Sequence, residues 1–179
     1  MDPYDYHNSV GFIVNNTAKM FVKALDLELR KSIGVTFSQW KILVMLSMKD
    51  GTTQKEIANG LGLEGATLIP ILDKMEKDGL VVRKVDPADR RNNRVYRTEK
   101  AESIWPSMVE CALKIREISV QNISLDHVTI MLDSLQKIYG NLESQVNIVA
   151  ASTPTATTSV IRPNRISNTN ITSGVELTK

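Results

Sequence analysis

From about Tyr6 to Ile33 the apolar residues Val10, Ile13, Val14, Phe21, Leu25 and Leu29 recur at spacings of three and four, with Lys19, Lys23, Asp26 and Arg30 between them. That spacing draws one apolar stripe along a helix, and Gly34 ends it. The pattern then tightens into QWKILVMLSMK, a short and almost continuously apolar helix. Ser38 is its predicted N-cap, Asp50-Gly51 its stop, and a central position its expected place. Thr53-Gln54-Lys55-Glu56 has the form of a capping box, so a third helix starts there and buries Ile57, Ala58 and Leu61. Gly60-Leu61-Gly62-Leu63 supplies a turn. A fourth helix runs from about Gly65 to Asp78 and stops at Gly79, burying Leu68, Ile71, Leu72 and Met75 and turning Thr67, Pro70 and Lys74 outward.

Beyond Gly79 the pattern changes to strand-like runs at Leu80–Val85 and Arg94–Arg97, with turn chemistry at Asp86-Pro87 and Asn92-Asn93. Helix, turn, helix and hairpin in that order predict a helix-turn-helix with a β-wing, a device for gripping duplex DNA. After Thr98, read as a cap, two further helices carry heptad stripes. Ile104, Met108, Cys111, Ile115, Ile118 and Asn122 form the first, and Val128, Leu132, Leu135, Tyr139, Leu142, Val146 and Val149 the second. Such stripes need partner helices, and one small domain offers too few, so the chain is expected to dimerise. The expected interface comprises Val10, Val14, Ile118, Val128, Leu132, Leu135, Tyr139 and Leu142. From about Ser152 onward the sequence is rich in Thr, Ser and Asn and lacks periodicity, and is expected to be disordered. The fold class is therefore mainly α with a small β-wing. Residues 1–35 and 99–150 form a helical dimerisation region, 36–98 a winged helix-turn-helix domain, and 151–179 a tail.

Charge sharpens this picture. The segment from Val81 to Lys100 holds seven basic residues (Arg83, Lys84, Arg90, Arg91, Arg94, Arg97, Lys100) against Asp86, Asp89 and Glu99, a local net of +4 where the whole 179-residue chain carries +2. Positive charge is placed on the hairpin, where double-stranded DNA would neutralise it. The backbone N–H groups at the helix starts near Ser38 and Thr53, together with Gln54, Lys55, Lys74, Arg90 and Arg94, are the expected phosphate contacts. The fourth helix, from Glu64 to Gly79, has a net charge of −2. An acidic, proline-interrupted helix would also suit an alternative role, a winged-helix module that docks a protein of the transcription machinery.

Other chemistries find little support. The chain has no glycine-rich phosphate loop, no nucleophile-His-acid pattern and no paired carboxylates with an evident cleft, so no catalytic residue and no cofactor is expected. His7 and His127 lie far apart, and the lone Cys111 sits in a heptad seam, so neither a metal site nor a redox switch is expected. A single cysteine, the absence of a signal-like start and the lack of any apolar run near ~18 residues fit a cytoplasmic protein.

The stretches FSQWKILVML, TQKEIANGLGLEGATLIPILDKMEKDGLVVR and DPADRRNNRVYRTEKA resemble the MarR family of winged-helix transcription regulators, and within it the SlyA type. The likeness covers roughly Val10 to Val149. It implies a two-fold dimer, a fourth helix in the major groove and a wing in the minor groove. It also implies a small phenolic or lipophilic effector held between the DNA-binding and dimerisation regions. On this resemblance Arg91 is the minor-groove arginine, Asp89 the acid that braces its loop, and Gly65, Ala66, Thr67 and Pro70 fall where family members reach bases or phosphates. Trp40 lies next to the usual ligand pocket. Pro70 departs from the SlyA type, which often has an arginine there able to grip a guanine.

Overall fold

The computed structural model describes residues 5–87 and 89–152. Nine elements follow in order: α1 (Val10–Ile33), α2 (Phe37–Met48), β1 (Thr52–Thr53), α3 (Gln54–Leu61), α4 (Gly65–Lys77), β2 (Val81–Val85), β3 (Asn93–Arg97), α5 (Glu99–Ser119) and α6 (Leu125–Ser152). The strands form one antiparallel sheet in the order β1-β3-β2, with Thr52 opposite Val95 and Arg83 opposite the same residue on the other edge.

The helix ends show where local rules held and where they were outcompeted. α1 begins at Val10 rather than Tyr6, because Ser9 takes the extended backbone of a cap and accepts from the Phe12 N–H. α2 is capped by Thr36, not by Ser38. The Thr36 hydroxyl accepts from the Gln39 N–H at 3.2 Å and the Gln39 side chain accepts from the Thr36 N–H at 2.9 Å, a reciprocal box that Ser38 has no residue three positions on to reproduce. The predicted box at Thr53 and Glu56 is present. Gly60 lies inside α3, and the turn belongs to Gly62, whose φ of 62° ends the helix in the left-handed region. α4 ends at Lys77 with Asp78 as its C-cap. Asn122 belongs to no heptad seam, since α5 ends at Ser119 and Asn122 turns the chain with φ 63°.

The core gathers around α2, whose Ile42, Leu43 and Leu46 are completely buried. Leu29 of α1, Ile57 of α3, Leu68, Leu72 and Met75 of α4, Val81 and Val95 of the sheet, and Met108 of α5 complete it. Ile71 and Leu61 are only half-buried at its margin. α1 packs along α5, and a Lys114–Glu28 ion pair at 2.6 Å ties their flanks. α6 is different, burying no side chain between Leu125 and Val149. The segment expected to be disordered after Ser152 lies outside the described residues.

Candidate nucleic-acid interface

The approach to the interface is set by a tight turn. Gly51 sits at φ 72° and donates its N–H to the Val95 carbonyl, and a Cβ there would lie 2.7 Å from the Tyr96 ring. Glycine is therefore required for β1 to reach the sheet edge and start α3 at Thr53. Glu56 secures that start by accepting from the Thr53 N–H at 2.8 Å and from Lys49 at 3.0 Å. These bonds, the Thr53 backbone first among them, pull the Glu56 pKa down to about 2. The Thr53 side chain is thereby engaged in the cap, leaving half-buried Gln54 and exposed Lys55 on the outer surface.

The start of α2 offers less than the sequence promised. The Thr36, Phe37 and Gln39 N–H groups are held by Gln39, Asp26 and Thr36 respectively, and Ser38 is a half-buried residue inside the helix. The Phe37 N–H, followed by Arg30, also holds the Asp26 carboxyl below its ordinary pKa. By contrast, Glu64 provides no side-chain cap for α4. Gly65, Ala66, Thr67 and Pro70 are all exposed, as is Lys74. Lys74 is paired with Asp78 at 2.7 Å, the main reason the Asp78 carboxyl titrates below its ordinary range.

The hairpin's basic residues divide into two groups. Arg83 reaches back to α4, with its guanidinium 2.6 Å from Glu76 and 2.7 Å from Asp73 and its N–H donated to Glu76. The Arg83 hydrogen bonds hold the Glu76 pKa low, and Glu76 in turn raises that of Arg83. Arg94 turns inward to the buried Asp86 carboxylate at 2.9 Å and donates to the Gly51 carbonyl at 2.9 Å. Lys84 lies 5.1 Å over the Tyr96 ring, and Lys100 donates to the Asp78 carbonyl. The guanidiniums of Arg90 and Arg91 are exposed and make no contact among the described residues. Their loop is braced as expected: Asp89 accepts from the Arg91 N–H at 3.1 Å and from the Asn92 amide at 2.9 Å, while the Asn92 N–H donates to the Asp89 carbonyl. Asp89 thus supports Arg91 through the backbone and leaves its guanidinium free to project.

Sequence reasoning missed the inner group. The Arg83 clamp, the Arg94–Asp86 pair and the Gly51–Tyr96 contact join residues that no local spacing connects. Only the structure shows that Asp86 is buried, and a carboxylate is rarely buried without a cation, so the Arg94 pairing could not be read from the sequence. Trp40 packs its ring against Phe37 at 5.5 Å and against the core. A cleft of about 480 Å³ lies elsewhere, between α3 and the start of α4, lined among others by Lys55, Asn59, Leu63, Gly65 and Ile69, and Trp40 does not reach it. Among the described residues no group of His, Cys, Asp and Glu could hold a metal ion, and no helix is long and apolar enough to cross a membrane.

This arrangement has relatives. The MarR family model matches residues 35–92, from the residue before the α2 cap to the tip of the wing. A transcriptional regulator of the MarR family from Rhodococcus sp. RHA1 is 25% identical over 76% of this chain and 96% of its own, with a TM-score of 0.67. The transcriptional repressor CouR, solved bound to a 23-mer DNA duplex, is 21% identical over 78% of this chain and 98% of its own, at 0.68. Bordetella bronchiseptica BpsR, whose DNA binding is regulated by 6-hydroxynicotinic acid, is 20% identical over 76% and 97%, at 0.67.

Proposed function

We propose that this chain, which is similar to MarR-family transcription regulators, acts in the cytoplasm as a dimeric, sequence-selective DNA-binding repressor or anti-silencer released by a small lipophilic or phenolic ligand. The observation that carries this reading is the pair of exposed guanidiniums at Arg90 and Arg91, held on a braced loop of the wing, together with the exposed face of α4. α4 enters the major groove, and Arg91 enters the adjacent minor groove, where a narrow A·T-rich tract deepens the negative potential. Gln54, Lys55, Lys74, Arg90 and the open first turn of α4 at Gly65, Ala66 and Thr67 position the duplex through its phosphates. The likeness to CouR on DNA and to BpsR supports both the duplex and the effector, and the chain's motifs resemble the SlyA type.

The alternative of a protein-docking module rested on the acidity of α4. In the folded chain Asp73 and Glu76 are neutralised by Arg83, and Asp78 by Lys74, so α4 presents little free negative charge to a basic partner. The test is titration of the protein with duplex recovered from a random-sequence selection, at several salt concentrations. Affinity should fall linearly on logarithmic axes as salt rises, and the recovered sequences should be palindromic. Failure to bind any duplex, together with stoichiometric capture of a protein partner, would replace this reading with the docking module.

A further inference from the structure

The first half of the outward face of α4, the ridge from Ala66 to Pro70, carries no charge, and the exposed Lys77 lies on the same face two turns beyond Pro70. Ala66 and Pro70 stand one turn apart directly opposite the buried Leu68, Leu72 and Met75, flanked by Thr67 and by Ile69, whose side chain is 46% exposed. The next residues along the helix, Asp73 and Lys74, are engaged by Arg83 and Asp78. No arginine, lysine, asparagine or glutamine lies within Ala66–Pro70, so this stretch has no side chain able to make a bidentate bond to guanine or adenine. Pro70 also has no N–H to give to the Ala66 carbonyl, and its ring methylenes face outward where a polar reader would sit. What the ridge presents is methyl and methylene surface, and the feature of the major groove that matches it is the thymine C5-methyl group.

We propose that this protein selects its site in the major groove by apolar contact between thymine methyl groups and the Ala66–Pro70 ridge, with Pro70 and Ile69 as the specificity-determining side chains. The inference rests on the proposed DNA-binding function and deepens it. It divides the reading of sequence between two grooves: methyl groups by α4 in one, and groove width by Arg91 in the other.

The two readings are separable on the DNA itself. Replacing a thymine by deoxyuridine removes the methyl group from the major groove while keeping every hydrogen-bonding group of the base pair. With the tightest duplex from the random selection, single thymine-to-deoxyuridine replacements should weaken binding about fourfold at one or more positions of each half-site, the effect of uncovering one buried methyl group. The loss at one such position should disappear in Pro70→Ser or Ile69→Ser, both at exposed sites, with folding verified by a melting temperature no lower than the parent's, since serine at position 70 regains the helix hydrogen bond that proline lacks. Salt-sensitive binding that is indifferent to deoxyuridine everywhere overturns this inference alone. A deoxyuridine penalty that persists in both variants assigns the methyl contact to another element and overturns it as well. Absence of duplex binding overturns the proposed function, and this inference with it.

Discussion

A cationic residue on a DNA-binding hairpin has two possible uses, and the partners of each side chain decide between them. Arg94 and Arg91 lie three positions apart in the same basic run, yet Arg94 neutralises a buried carboxylate while Arg91 projects from a loop that Asp89 holds by its backbone. Arg91→Ala is therefore expected to lower specific affinity by about 1–3 kcal/mol and to relax the preference for A·T-rich flanks, with no change in melting temperature. Arg94→Ala should lower the melting temperature, because Asp86 loses its cation inside the protein, and affinity should fall only as the wing loosens. Binding titrations and thermal melts of the two variants check this, and equal melting temperatures with equal affinity losses would show that Arg94 faces the DNA instead. The positive cluster was legible in the sequence because charge density needs no structure to be counted. Its division was not legible, since Asp73 and Glu76 lie seven to ten positions before Arg83 and Gly51 more than forty before Arg94.

At the scale of elements, reciprocal signals were readable and one-sided ones misled. Thr53 and Glu56 announce a helix start from both ends of the motif, whereas at α2 the serine drew attention from the Thr36–Gln39 pair that does the capping. β1 escaped notice because two residues carry no alternation, and it exists only because β3 offers it an edge. The Thr53 box also gives the fold a pH dependence. The Glu56 pKa stands near 2 against an ordinary 4.5, so its contribution is complete above about pH 4.5 and is lost as pH falls through about 2. Asp26 and Glu76 are shifted in the same direction. The melting temperature should therefore decline steadily from pH 5 toward pH 2. Glu56→Gln keeps a capping-box side chain but not the titration, so its decline should be shallower, by a modest amount given that nearly half of the Glu56 side chain is in water. Parallel declines for the two proteins would mean that the Glu56 carboxylate does not hold the start of α3.

The molecule as a whole leaves its longest apolar seam uncovered. Leu132, Leu135 and Leu142 of α6 remain 40%, 38% and 62% exposed, and Val10, Val14 and Ile118 at the ends of α1 and α5 are exposed as well. The heptad spacing identified these positions from sequence, because a seam repeats whether or not its partner is present, but only the fold shows that α1 packs along α5 and that α6 has no comparable partner among the described residues. In the proposed dimer a second copy would supply the missing helices and, with them, the two-fold axis that a palindromic site would mirror. Sedimentation at micromolar concentration should give a dimer, and the unfolding midpoint should rise with protein concentration, because association is then part of folding. Leu135→Asp places a charge at the middle of the seam and should yield a monomer or a poorly folded chain at the same concentration. It should also weaken binding to a palindromic duplex far more than binding to a single half-site, since two wings and two α4 helices would no longer be joined. A wild-type monomer of unchanged helical content at micromolar concentration would refute the dimer and leave α6 to another partner.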